Sequence, residues 1–512
     1  MSTFMESIKN QQQRHTENGA VGYTTTSHDL LDLNFAVPSF RRNIGIEYFR
    51  KFDNSIKEES NLTLRWLLFL RDIREGLGER ASFRWFFYHL CTIEPDLAIS
   101  FLNKVNIAEY GRWDDYIYVF GALSDKVEEE LLIKAKIVSI LDNQLNEDVV
   151  NSLHNKPVSL LAKWMPSEKA SSAKTRKLAK ELAKAFGVTK QEYRKTLSKL
   201  RRYLDVVEVK MSDSNWGEIE YSKVPSVANV RYMGAFFRHD NERYVDYLES
   251  IKQGKQKINA NALFLYEIIH KYNISDSSYY TLECLKNMYP VNETLEQMWN
   301  AQEPPKEFAN TLIVRDGSYS MCCGIDNSNV LALDVADAFT IYLSAYNSEE
   351  YKNKFITFSR EAELIDISEQ DTLRDKLLRI RQEDSYENTN VENVLSLVLR
   401  AMKESGKSVD RILFISDMEY DSCAFGRNDK ALFEVWQDKY KEEGFTMPKL
   451  VFWNVASRTN TIPVRQNESG IILVSGFSKN IVDMVMSPKL DPYQILLDKL
   501  MDKRYNIINQ VC

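Results

Sequence analysis

The pattern of apolar and polar positions changes character about three-fifths of the way along the chain. In residues 1–302, apolar positions return every three or four residues, at 61–70, 82–91, 126–141, 173–186, 190–203 and 259–272, the spacing of one helix face. β-branched alternation is scarce there, Gly and Pro are sparse, and the connections are short. That predicts an all-α domain over 1–302, packed as a helical-repeat or solenoid-like array, although no repeat of fixed period is visible. The first forty residues are expected to be partly irregular. After the Pro-Pro break in Glu303-Pro304-Pro305-Lys306 the pattern switches. Short continuous apolar runs at 311–314, 354–358, 411–416, 449–454 and 470–475 alternate with helical stretches at 330–346, 371–381 and 391–403. The runs at 354–358 and 362–366 flank a tight Ser359-Arg360-Glu361 turn and read as paired strands. The alternation predicts a C-terminal α/β, Rossmann-like domain over 308–512.

In an open α/β sheet, ligands sit beyond the carboxyl ends of the strands where strand order reverses. Asp316-Gly317-Ser318-Tyr319-Ser320 follows the first apolar run directly, and Asp417 follows Arg411-Ile412-Leu413-Phe414-Ile415-Ser416. Thr389 ends a polar loop before a helix that Asn390 or Thr389 is expected to cap. Asp316, Ser318, Ser320, Thr389 and Asp417 are hard oxygen donors, the type that suits Mg²⁺. Taken one at a time, each reads more readily as a helix cap or a turn residue than as a ligand. Together and in this order, residues 308 to about 490 resemble a von Willebrand factor type A domain. Its metal-ion-dependent adhesion site has D-x-S-x-S on the first loop, a threonine on the second and an aspartate on the third. The resemblance implies Mg²⁺ held by Asp316, Ser318, Ser320, Thr389 and Asp417, with a position left for an acidic side chain of a partner. One departure is that the threonine loop of that family begins with glycines, whereas this chain reads Asn388-Thr389-Asn390. A site that binds the metal only to tie three loops together is the plainer alternative.

Charge adds a second candidate. The 512-residue chain carries 66 basic and 73 acidic residues, a net −7, which argues against an indiscriminate nucleic-acid coat. Yet residues 174–202 hold eleven basic side chains against Glu181 and Glu192 alone. Lys174, Arg176, Lys177, Lys180, Lys184, Lys190, Arg194, Lys195, Lys199, Arg201 and Arg202 fall on two successive predicted helices, where helical spacing gathers many of them on one face. Such a stripe suits phosphate contacts, although a solvated helix face is the ordinary meaning of a charge run and the acidic stretch 125–130 is placed to neutralise it. Trp164, Tyr193 and Tyr203 are candidates for stacking on unpaired bases, or simply core residues.

Arg71-Asp72-Ile73-Arg74-Glu75-Gly76-Leu77-Gly78-Glu79-Arg80, Tyr110-Gly111-Arg112-Trp113-Asp114-Asp115 and Lys163-Trp164-Met165-Pro166-Ser167 resemble a poorly characterised family with a helical N-terminal part and a von Willebrand A-like C-terminal part. The Thr175-Arg176 pair and Tyr193-Arg194-Lys195 fit it as well. That family is in turn similar to the TROVE proteins, which pair a helical-repeat ring with a metal-site A domain and bind small non-coding RNAs and single-stranded RNA ends. Read from the residues alone, Gly76 and Gly78 supply a turn between helices, and Trp113 is an aromatic anchor before a helix start whose carboxylates favour it.

Enzymatic patterns are scarce. The six histidines (His15, His28, His89, His154, His239, His270) all lie outside the C-terminal domain, leaving Ser318 and Ser320 without a base. The sequence holds no phosphate-loop or dinucleotide fingerprint. Asp421 and Glu419, beside Asp417, keep a metal-dependent hydrolase as a lesser alternative. The six cysteines show no framework spacing, which suits free thiols in a reducing cytoplasm. No apolar run approaches a membrane span, and the polar first sixteen residues lack a signal core. The expectation is a non-enzymatic cytoplasmic RNA-binding protein, with no DNA or membrane partner. A protein-interaction scaffold acting through the metal site without RNA is the alternative.

Overall fold

The computed structural model describes residues 13–15, 21–260, 263–274, 280–325, 329–358, 362–384, 390–419, 432–459, 462, 471–489 and 491–511. The chain divides into two compact units, one of residues 1–55 and 257–500 and one of residues 56–256 and 501–512. No helix among the described residues is long and apolar enough to cross a membrane.

The first unit is built on a mixed, mostly parallel sheet. A short antiparallel pair, β1 (Gln13–His15) and β2 (Val21–Tyr23), comes first in the chain. The main strands are β3 (Thr311–Asp316), β4 (Lys354–Phe358), β5 (Leu364–Asp366), β6 (Arg411–Ser416), β7 (Lys449–Asn454) and β8 (Ile471–Ser475). Their order is β5-β4-β3-β6-β7-β8, with only β5 antiparallel to its neighbour. The chain winds outward from β3 in one direction and then, from β6, in the other. The reversal lies between β3 and β6, which pair in register from Thr311 opposite Arg411 to Arg315 opposite Ile415. The central strands are buried throughout, as expected where helices cover both faces. One face carries Leu312, Val314, Phe358, Phe414 and Phe452 against Val394, Leu395 and Val398 of the Val391–Ser405 helix. Each such side chain, fully buried, contributes about 1.5–3 kcal/mol. The Ala332–Ala345 helix is buried on nearly every side and packs against β3, β6 and the Leu265–Tyr272 helix.

One residue breaks the apolar face of β3. Arg315, 1% exposed, reaches Asp337 Oδ1 at 2.6 Å and Asp384 Oδ1 at 2.6 Å. Arg381 joins Asp337 to Asp334, and His270 Nδ1 lies 2.9 Å from Asp334 Oδ2. Two guanidiniums and three carboxylates therefore make one buried lattice, with the His270 imidazole at its edge.

The second unit is helical. Its helices include Arg80–Ile93, Pro95–Lys104, Trp113–Ala122, Glu128–Leu153, Leu161–Trp164, Ala173–Ala185, Lys190–Tyr203, Ser226–His239 and Asn241–Lys252. Their unequal lengths fit the absence of a sequence period. Residues 501–512 complete this unit. Arg504 pairs with the buried Asp72, Tyr505 packs on Phe69 and Tyr110, and Asn506 and Asn509 accept from Arg65 Nη2 at 3.2 and 2.7 Å.

The unit boundaries differ from the 1–302 and 308–512 division read from the pattern. Residues 29–40, expected to be partly irregular, form the helices Asp29–Phe35 and Val37–Phe40. Asn454 Nδ2 and Ser475 Oγ, at the ends of β7 and β8, donate to the carbonyls of Phe35 and Asn34. The Leu265–Tyr272 and Glu293–Asn300 helices also belong to the α/β unit. Buried Glu296 accepts from the backbone N–H groups of Leu373 and Arg374 at 2.8 and 3.1 Å, capping the Leu373–Arg381 helix. A pattern change marks where secondary structure changes type, whereas a compact unit is set by which faces bury one another.

Candidate metal centre and nucleic-acid interface

β3 ends at Asp316, and the turn that follows is shaped by that carboxylate. Ser318 N donates to Asp316 Oδ1 at 3.0 Å, while Ser416 Oγ, at the end of β6, donates to Oδ2 at 2.6 Å. Ser318 Oγ and Ser320 Oγ lie 2.9 Å apart. A Cβ on Gly317 would stand 2.8 Å from Arg315 Nη1 and 3.1 Å from Asp384 Oδ1. Only glycine fits against that ion pair, so the buried lattice sets the path of the loop.

The third loop is as tightly made. Asp417 Oδ1 accepts from Glu419 N at 3.2 Å. Met418 between them adopts φ 63°, an uncommon conformation for a residue with a side chain. Glu419 in turn accepts from Arg458 N at 3.0 Å and Thr459 N at 2.9 Å, fastening this loop to the one after β7. Asp417 Oδ2 is closed to solvent without a hydrogen-bond partner among the described residues. The guanidinium of Arg458 stands 3.6 Å from it.

Burial pushes the Asp417 carboxyl up to about 7, with the charge of Asp316 adding to the effect and a hydrogen bond from Ser320 opposing it. Burial also raises Asp316, against hydrogen bonds from Ser416 and Ser318. Two enclosed carboxylates facing each other are short of positive charge. The donor set and the orphaned oxygen fit a hard divalent cation. Among the described residues no group of three or more His, Cys, Asp or Glu side chains is arranged to hold a metal; this set is instead two carboxylates and two hydroxyls.

The structure thus brings Asp316, Ser318, Ser320 and Asp417 together. Thr389 and Asp421 lie outside the described residues. Asn390 Oδ1 accepts from Glu392 N at 2.9 Å and caps the Val391–Ser405 helix. The carboxylate of Glu419 is engaged by the loop after β7. Ser416, Arg458 and the Arg315–Asp384 pair were missed as parts of the site. A charged residue inside an apolar strand run was the available signal for Arg315, since a buried charge requires a partner.

On the helical unit, Lys174, Lys177, Lys180, Lys184, Lys190, Arg194, Lys195, Lys199 and Arg202 are exposed. Apolar residues Ala179, Leu182, Ala183, Leu197 and Leu200 take the inner faces of the two helices, which leaves the basic positions outside. Arg176 and Arg201 depart from the expected stripe. Arg176 Nη1 donates to the carbonyls of Ala170 and Ser171 at 2.7 and 2.6 Å. Arg201 donates to the carbonyls of Ala162 and Met165 at 2.8 and 2.7 Å and to Ser167 Oγ at 2.8 Å. Both guanidiniums close helix ends and turns. Asp125 offsets the face only in part: Lys134 chiefly, then Lys177 and Lys184, hold its carboxyl below the ordinary range. Tyr193 is buried with its hydroxyl on the Pro166 carbonyl, which excludes it from base stacking. Trp164 lies under the Arg112 guanidinium at 4.1 Å. The hydroxyl of Tyr203, a half-exposed ring, donates to Lys156 O at 2.8 Å.

The geometry defines a chain with two candidate ligand surfaces, a buried oxygen cluster at a strand-order reversal and an exposed basic helix pair. Two family models match it, both described as domains of unknown function: DUF2828 over residues 124–302 and DUF7788 over residues 310–496. Uncharacterized protein L728 of Acanthamoeba polyphaga mimivirus is 28% identical over 523 residues, covering 95% of this chain and 86% of that protein. The Ro (RSR) protein of Deinococcus radiodurans aligns in structure over 97% of this chain and 89% of its own, at 12% identity and a TM-score of 0.35, a level that does not by itself establish a shared fold.

Proposed function

We propose that this chain is a non-enzymatic RNA-binding protein that carries a cation-dependent partner site. The observation that carries the RNA reading is the pair of adjacent helices, Ala173–Ala185 and Lys190–Tyr203, from which nine lysine and arginine side chains project into solvent with only Glu181 and Glu192 among them. A dense, strongly basic face on an otherwise acidic chain holds phosphates and releases their counterions. Its partner is a small non-coding or single-stranded RNA, bound by backbone rather than by sequence, and the compartment is the cytoplasm. Fluorescence anisotropy with a labelled oligouridylate tests this across a salt series. Wild-type affinity falls as salt rises, with a log–log slope of about −0.7 for each phosphate contacted. Reversing Lys180, Lys184, Lys195 and Lys199 to Glu abolishes it. Salt-independent or absent binding overturns the reading.

A second reading is favoured by the orphaned Asp417 Oδ2. Asp316, Ser318, Ser320 and Asp417, with Thr389 from the second loop, hold Mg²⁺ in the manner of a von Willebrand A adhesion site. The cation supplies an open position for a carboxylate of a protein partner. If the RNA test fails, this site alone makes the chain an interaction scaffold. Mg²⁺-dependent thermal stabilisation, lost in Asp316→Ala, supports the cation; its absence in wild type removes the partner site with it.

A further inference from the structure

Three sequence motifs of the helical unit that the basic face leaves unused converge at one place. Asp115, fully buried, receives Arg71 Nε on Oδ2 at 2.7 Å, Arg84 Nε on Oδ1 at 2.7 Å, and Arg112 N on Oδ2 at 3.0 Å. Asp114 accepts from Arg112 Nη2 at 3.3 Å and stands in ion-pair contact with Arg84 Nη2 at 2.7 Å. A Cβ on Gly111 would lie 2.6 Å from both Arg71 Nε and Asp115 Oδ2, which explains the glycine in Tyr110-Gly111-Arg112-Trp113-Asp114-Asp115. Arg112 is braced from beneath by the Trp164 ring at 4.1 Å.

Both carboxylates are consumed by this lattice, and one guanidinium remains over. Arg80, exposed on the first turn of the Arg80–Ile93 helix, meets no carboxylate at contact distance among the described residues. Four guanidiniums stand against two carboxylates, an excess of two positive charges in a partly enclosed setting. Burial and the neighbouring Arg80 and Arg71 push Arg112 down to about 10, against Asp114 and Asp115; partial enclosure of its inner part and then Arg84 lower Arg80, against the same two carboxylates. Like charges held together by a rigid frame favour an anion that relieves them.

We propose that Arg80 and Arg112, held by the Arg71–Asp115–Arg84–Asp114 lattice, form a phosphate-binding site. Planar guanidiniums match phosphate oxygens two at a time, and the near-double charge of a phosphate monoester balances the excess. The site is separate from the basic face of the Ala173–Ala185 and Lys190–Tyr203 helices and rests on none of its residues, so either stands if the other falls.

The test titrates the full chain with inorganic phosphate, then with 5′-phosphorylated and 5′-hydroxyl oligouridylates, by calorimetry. Arg80→Gln removes an exposed, unpaired charge and leaves the fold intact, which circular dichroism checks. It is expected to weaken phosphate binding about tenfold, the loss of one charge-assisted contact. Asp114→Asn raises the charge excess and is expected to tighten binding, a gain that a purely structural role for the cluster does not produce. Loss of only the 5′-phosphate advantage in Arg80→Gln marks a monoester ligand; equal loss for both oligomers marks a phosphodiester, and either supports the site. Phosphate binding that is absent in wild type, or unchanged by both substitutions, overturns it.

Discussion

The oxygen cluster of the α/β unit and the arginine cluster of the helical unit are built alike and charged oppositely. In each, a glycine lies against a buried Arg–Asp pair: Gly317 against Arg315 and Asp384, Gly111 against Arg71 and Asp115. In each, a loop at a helix or strand end is fixed by that pair. The difference is the remainder. Around Asp316 and Asp417 two carboxylates face each other with Arg458 only at 3.6 Å, whereas around Arg112 two guanidiniums exceed the available carboxylates. The lattice of Arg315, Arg381, Asp334, Asp337 and Asp384 is the internal control. Each of its three carboxylates is paired directly with a guanidinium, and it serves as a frame. An enclosed charge cluster that balances is architecture; one that does not balance states the sign of its ligand.

The same substitution in the two regions gives the sharpest test. Asp115→Asn strands Arg71, 3% exposed, and is expected to destabilise the helical unit by about 3–5 kcal/mol in urea unfolding. Asp316→Asn removes one of two like charges and keeps an acceptor for Ser318 N. The metal-free protein is expected to lose less than about 1 kcal/mol, or to gain. Equal losses at both positions would erase the distinction between frame and site.

Next in size is the cation itself. If the site holds the cation as proposed, Mg²⁺ at about a hundred times its dissociation constant is expected to stabilise wild type by about 2.7 kcal/mol, read as a rise in Tm that chelation reverses; Asp316→Asn is expected to show none of it. A smaller effect separates outward from inward cations on the basic face. Lys195→Gln and Lys199→Gln together are expected to lower oligouridylate affinity several-fold and to flatten the salt slope by roughly 1.4, with stability unchanged within about 0.5 kcal/mol. The smallest is Arg176→Gln, whose guanidinium is taken up by the Ala170 and Ser171 carbonyls. It is expected to cost about 1 kcal/mol of stability and leave RNA affinity within twofold.

Much of the local structure was legible in the chain. The expected strands at 411–416 and 449–454 coincide with β6 and β7, and the helix at 190–203 matches Lys190–Tyr203. Continuous apolar runs and 3.6-residue periodicity are short-range signals, and propensity acts at the same range. The run at 311–314 was cut short because Arg315 and Asp316 look like the end of a strand, yet β3 continues through both. The expected helix at 259–272 begins only at Leu265. Asp316, Ser318, Ser320 and Asp417 lie at or just past the ends of β3 and β6, where the pattern put them, because the ends of strands are readable. Ser416 and Arg458 were not, since their parts in the site depend on which strands lie side by side.

The sequence by itself determined the element types, the loops that carry the oxygen donors and the two helices that carry the basic residues, because each follows from spacing along one segment. Only the tertiary structure decided that residues 29–40 and 265–300 belong with the sheet, that Arg176 and Arg201 turn inward, and that Arg71, Arg84, Arg112, Asp114 and Asp115 share one lattice. Those outcomes depend on which distant groups satisfy a buried charge or carbonyl, and periodicity along the chain carries no record of that.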